Sequence, residues 1–98
     1  MTGPAFLVHR ADDYVGVAVR QISPGEVRGE LLDDQSSVLV TAIQEIPLGH
    51  KVALRDIASG ADVIEYGLRI GIASTDISKG QHVHIHNIRS ARWTKSIN

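Results

Sequence analysis

The chain has no cysteine. That excludes disulfides, thiolate metal sites and cysteine nucleophiles, so nothing covalent offsets its small size. Aromatic residues are scarce, with two tyrosines, one tryptophan and one phenylalanine, which argues against a large aromatic ligand pocket. Neither sign of charge dominates: ten basic residues face eleven acidic ones. Without a basic block to neutralise phosphates, no nucleic-acid partner is expected. No run approaches the roughly 20 apolar residues needed to span a bilayer, so no membrane role is expected. Met1 to Val8 has no basic n-region followed by a long apolar stretch, and a cytoplasmic protein is expected.

What is present is strand signal. Ninety-eight residues make one domain with an adequate but not generous core. Val15, Val17 and Val19 recur at period two within Tyr14–Arg20, as in a half-buried strand. Val38–Ile43 is rich in β-branched residues and reads as a second strand. Shorter candidates are Ala5–His9, Val27–Leu32, Lys51–Leu54, Leu68–Ala73 and His82–Ile88. No segment keeps a helical apolar period over three turns. The acidic pairs Asp12-Asp13 and Asp33-Asp34 read as solvated turns. Tight hairpins are less evident, because Asn-Gly and Asp-Gly are missing. Ser90 to Asn98 reads as a tail, which leaves a core of about residues 6–88.

One punctuation mark is repeated. Gln21-Ile22-Ser23-Pro24-Gly25, Glu45-Ile46-Pro47-Leu48-Gly49, Asp56-Ile57-Ala58-Ser59-Gly60 and Asp76-Ile77-Ser78-Lys79-Gly80 all read polar-Ile-x-x-Gly, with a valine soon after. The pattern predicts a buried isoleucine anchoring a tight turn, closed by a glycine at positive φ, with the valine opening the next strand. Spacing between copies is irregular, which excludes a solenoid.

Two stretches can carry chemistry. In Gly80-Gln81-His82-Val83-His84-Ile85-His86-Asn87-Ile88, a strand would put His82, His84 and His86 on one face and pack Val83, Ile85 and Ile88 on or near the other. Imidazoles spaced this way can converge in pairs on one cation, completed from elsewhere in the fold. The plainer alternative is an exposed polar face. In Pro47-Leu48-Gly49-His50-Lys51, His50 can act as general acid or base, and Lys51 can hold a substrate carboxylate or stabilise an enediolate. Here the plainer alternative is a solvated turn. Trp93 beside Arg92 is either tail packing or a docking anchor.

A magnitude bounds the role. Enzymatic rate enhancement needs about 8 kcal/mol or more of transition-state stabilisation, and one positioned acid or base supplies about 3–5 kcal/mol. A chain this small can provide part of a catalytic set. It is not expected to provide all of it.

The residues Val15–Val19, Ile46–Ile57, Val63–Gly71 and Asp76–Asn87 resemble the N-terminal domain of altronate and galactarate dehydratases. Those domains belong to the SAF group, whose fold is the all-β β-clip. The resemblance runs from about Phe6 to Trp93. Within that family the free-standing length and the Arg89-Ser90-Ala91-Arg92-Trp93 ending look most like the small subunits of sulfolactate sulfo-lyases. The resemblance implies β-elimination from a small hydroxy acid, with a divalent metal, Fe2+ before Mn2+ or Zn2+, stabilising the enediolate. It further implies a large catalytic partner subunit, with self-association expected of the isolated chain. The residues that match shared motifs are assigned on that basis: His50 and Lys51 as catalytic, His84, His86 and also His82 as metal ligands. Asn87 and Arg55 are assigned to substrate, Arg92 and Trp93 to partner docking. The rival expectation is a non-catalytic SAF-type module that binds a carboxylated sugar or a protein partner.

Overall fold

Each polar-Ile-x-x-Gly segment ends one strand and launches the next, and these corners organise the molecule. The computed structural model describes residues 3–90. They form nine short strands: β1 (Phe6–Val8), β2 (Val15–Ala18), β3 (Gly25–Leu31), β4 (Ser37–Ala42), β5 (Lys51–Ala53), β6 (Asp62–Glu65), β7 (Leu68–Ala73), β8 (His82–Val83) and β9 (Ile88–Ser90). Among the described residues there is no helix, so the all-β expectation holds. Six strands form one sheet in the order β4-β3-β1-β2-β5-β8, and β6-β7-β9 form a second. Only β1 and β3 pair in parallel; the other pairs are antiparallel.

The four motif isoleucines behave as their pattern predicts. Ile22, Ile46, Ile57 and Ile77 are all buried, and four residues before each stands a buried alanine, Ala18, Ala42, Ala53 or Ala73. The corners come together in twos. Ile22 and Ile46 exchange backbone hydrogen bonds of 2.9 Å, and Ile57 and Ile77 exchange bonds of 2.7 and 2.8 Å. In the second pair the leading aspartates add a reciprocal cap. Asp56 Oδ1 accepts from the Lys79 amide at 2.8 Å, and Asp76 Oδ1 accepts from the Ser59 amide at 2.9 Å. Gly25, Gly49, Gly60 and Gly80 all have positive φ. At Gly80 two demands meet, because φ is +88° and a Cβ would lie 1.9 Å from the Thr41 carbonyl oxygen. Only glycine fits there.

Strands β2 and β5 serve two cores by period-two alternation. Ala18 and Val52 pack with Phe6, Val8, Ile22, Val40 and Ile46. Val15 and Ala53 pack with Ile57, Val63, Ile77 and Val83. The expected apolar stripe of β2 therefore fades along the strand: Val15 is fully buried, Val17 half-buried, and Val19 is 41% exposed. Phe6 fills the first core so closely that a Cβ at Gly29 would meet its ring at 2.1 Å.

Three local expectations need correction. The final strand signal breaks after Val83, because residues 84–87 form a turn. Ser90 is not tail but belongs to β9, paired with Gly71 of β7. Asp13 is not solvated; it is 2% exposed. Its carboxylate accepts from the amides of Arg10, Tyr66 and Gly67 at 3.2, 2.9 and 3.3 Å. The last two amides belong to the β6–β7 hairpin, whose Tyr66-Gly67 turn has φ of +59° and +71°. Both central residues have positive φ, as a tight hairpin requires, without Asn-Gly. Asp33 and Asp34 do lie in an exposed turn.

Candidate functional site

The site is assembled at one edge of the six-stranded sheet. In the turn before β5, the His50 amide donates to the Pro47 carbonyl at 3.0 Å, and the Gly49 amide donates to Ala18 at 2.9 Å. His50 is thereby held at the strand entrance. Strand β8 pairs with β5 so that His82 lies opposite Val52. Opposed residues share a face, and so does a residue two positions away, which brings His50 and His82 together. His50 Nδ1 lies 2.8 Å from His82 Nε2, a hydrogen bond that one ring donates and the other accepts. The His82 amide is itself tied to Gln44 Oε1 at 2.9 Å.

His84 and His86 join the patch from the turn that follows. The His84 ring stacks on His50 with centroids 3.7 Å apart and planes 15° from parallel. His86 lies 4.9 Å from His82, tilted by 38°. Four imidazoles thus share one patch. A turn, not a strand, puts the last two there, and the turn is made by Asn87. Its Oδ1 accepts from the His84 amide and its Nδ2 donates to the His82 carbonyl, both at 2.9 Å. Asn87 is 1% exposed, and both ends of its carboxamide are committed to backbone. The substrate-binding expectation for Asn87 is therefore corrected to a structural one. The same turn rotates Ile85 outward: expected to supply packing, it is 83% exposed.

The metal expectation finds no complete ligand set within the described residues. A ligating imidazole nitrogen points at its metal in the plane of its own ring, at about 2.0–2.1 Å for zinc. The His50 and His84 rings, stacked 3.7 Å apart and 15° from parallel, keep their in-plane lone pairs in separate planes and do not converge on one ion. Among the described residues there is no group of three or more histidine, aspartate or glutamate side chains that could hold a metal ion. His82, His84 and His86 come together but do not form a ligand set.

The stack has an electrostatic consequence. The pKa of His82 is lowered from 6.5, first by burial and then by the neighbouring His86, His50 and His84. That of His84 is lowered by burial, then by His50, Lys51 and His86. Both causes disfavour the imidazolium. At neutral pH these two rings are neutral and carry lone pairs.

Lys51 leaves the strand on the face opposite His50, as adjacent strand residues must. Its Nζ lies 3.8 Å from Glu65 Oε1, and the other oxygen of Glu65 lies 3.7 Å from His9 Nε2. These are ion-pair rather than hydrogen-bond distances. Glu65 ends β6 immediately before the turn that Asp13 pins, so the buried aspartate indirectly positions a carboxylate beside Lys51. No sequence spacing pointed to Glu65, His9, Gln44 or Asp13; a glutamate just ahead of a Tyr-Gly turn is the weak signal that was there. Arg55 is not brought to the histidines. Its guanidinium lies over the Tyr14 ring, 4.4 Å from the centroid, so the substrate-contact expectation gains no support. Arg92 and Trp93 lie outside the described residues.

An all-β corner fold with imidazoles gathered at one sheet edge can accept and release protons, and it offers an ammonium–carboxylate pair on the opposite face. Comparison with known proteins gives this arrangement a class. The family model described as altronate/galactarate dehydratase SAF domain matches residues 4–91, and the chain belongs to that family. (2R)-Sulfolactate sulfo-lyase subunit alpha from Chromohalobacter salexigens is 41% identical over 90 residues, which is 90% of this chain and 96% of that relative. The subunit of the same name from Paracoccus pantotrophus is 45% identical over 60 residues, 61% of this chain and 90% of the relative. Altronate dehydratase from Escherichia coli is 49% identical over 79 residues, which is 80% of this chain but 15% of that relative. These relatives bear the names of a sulfo-lyase subunit and a dehydratase. The designation alpha implies a partner subunit.

Proposed function

We propose that this chain is the small subunit of a lyase that eliminates a group β to the carboxylate of a hydroxy acid, together with a large partner subunit. The observation that carries the reading is the share of each relative that the similarity covers. Similarity to a sulfo-lyase alpha subunit spans 96% of that relative, whereas the altronate dehydratase match spans 15% of a longer chain. Sulfolactate is accordingly the first substrate, and an altronate-type sugar acid the second. Hetero-oligomeric assembly and a cytoplasmic location belong to the same proposal.

In this elimination a base removes the proton from the carbon that bears the carboxylate and the hydroxyl. The electron pair forms a double bond to the next carbon, whose bond to the leaving group breaks. From sulfolactate, sulfite departs and the remaining enol rearranges to pyruvate. From a sugar acid, hydroxide departs as water. His50 is assigned as the base. If His50 Nδ1–H donates to His82 Nε2, the Nε2 of His50 is left with a free lone pair; this tautomer is an assignment, supported by the low pKa of His82. Lys51, expected to be catalytic, leaves β5 on the face opposite His50 and lies beside Glu65, so it is given no step next to that base. His84 and His86 complete the imidazole patch. A divalent cation, iron included, finds no fitting ligand set in this stack, and no step here runs through one.

Co-expression with a sulfo-lyase large subunit tests the reading. The expected result is sulfite release from sulfolactate by the complex and none by either part alone. His50→Ala should lower kcat by roughly 10²–10⁴-fold, and His86→Ala should lower activity as well. Full activity in both variants overturns the site assignment. One observation favours a second reading, a binding module without metal: the rings stack instead of converging. Calorimetric binding of a carboxylated sugar by the isolated chain, with no partner needed, would support it.

A further inference from the structure

We infer that Leu48 and Ile85 form the seat for the large partner subunit, which closes over the imidazole patch when it docks. The inference rests on the small-subunit reading above. Ile85 is 83% and Leu48 64% exposed. Turn positions are ordinarily filled by Gly, Pro, Asn, Asp and Ser, so folding does not explain a large aliphatic side chain at either tip. Each tips a turn that delivers a histidine: Leu48 lies in Pro47–His50, Ile85 in His84–Asn87. The His50 and His84 rings stack at 3.7 Å, so the two aliphatic tips flank one patch.

Both tips are built rigidly. The first turn is closed by the His50-to-Pro47 and Gly49-to-Ala18 bonds, and the second by the two side-chain bonds of Asn87 and by backbone bonds to the His84 carbonyl. Apolar groups already held in place lose little entropy on association, which suits them to anchor an interface.

The occupant is argued from the relatives. In altronate dehydratase the matching segment is 15% of one long chain, so this kind of domain works beside a much larger body of protein. The alpha subunits are of this chain's length, and their designation implies a separate partner. The patch itself offers imidazole hydrogen-bond donors and acceptors. The complementary surface is therefore one with two apolar sockets flanking carboxylate or other hydrogen-bonding groups. Seating it removes the imidazoles from water, where their interactions with substrate charge strengthen.

The test compares the double variant Leu48→Asp/Ile85→Asp with Leu39→Asp. Leu39 is a comparably exposed residue (58%) on β4, a strand not paired with β5 or β8. Affinity for the purified large subunit is measured by calorimetry, and melting temperature is measured alongside. The double variant should bind roughly 100-fold more weakly or worse, with its melting temperature unchanged, while Leu39→Asp binds as wild type does. Wild-type affinity in the double variant, or a larger loss in Leu39→Asp, overturns the seat. A wild-type dimer that the double variant disperses in sedimentation would make a second copy the occupant, and that also overturns it. Failure of the wild-type chain itself to bind the large subunit refutes the small-subunit reading instead.

Discussion

Among the described residues, Asp13 and Asn87 are the two buried polar side chains, and each is committed to backbone amides or carbonyls around a turn. A buried carboxylate is tolerated only when its lone pairs are filled, and amide donors fill these at 2.9 to 3.3 Å. Asp13→Ala would leave those amides without their acceptor. The expected cost is about 2–3 kcal/mol, read as a lower urea midpoint, and Asp13→Asn should recover part of it. Composition hid both roles. An aspartate in an Asp-Asp pair looks like a surface turn until a segment more than fifty positions away supplies the donors.

At the scale of elements, the recurring corner was legible from its letters alone. Isoleucine, glycine and valine at fixed offsets call for a buried anchor, a positive φ and a new strand, and Ile57, Gly60 and Val63 supply all three. Which corner pairs with which was not legible. The pairing of Ile57 with Ile77, capped by Asp56 and Asp76, predicts that truncation costs more than burial alone. Ile57→Ala should destabilise by about 2–4 kcal/mol in chemical denaturation, and it should loosen the Ser59 and Lys79 amides in hydrogen exchange. The histidine strand shows the opposite case. Alternation correctly grouped His82, His84 and His86, but the strand it assumed ends at Val83, since Asn87 offers the backbone a competing set of hydrogen bonds.

For the whole molecule, burial and crowding of imidazoles couple stability to pH. His82 and His84 have lower pKa values folded than their ordinary 6.5, so on acidification the unfolded chain takes up protons before the native one does. The unfolded state then binds more protons, and stability must rise with pH through the window below and up to 6.5. Melting temperature should fall as pH drops from about 7 toward 5, and the double variant His82→Gln/His84→Gln should flatten that slope. An unchanged slope would mean the rings are not crowded in solution.

Local sequence determined the strand-rich character, the four corners and the short list of residues worth watching. Those follow from period-two alternation and from the few φ values glycine alone adopts, and both act within a handful of residues. Tertiary structure alone decided that the imidazoles stack instead of converging, that Lys51 faces Glu65 and His9, and that Ile85 points outward. Each of these depends on where β5, β6 and β8 are placed relative to one another, and that placement is set by packing between residues remote in the chain.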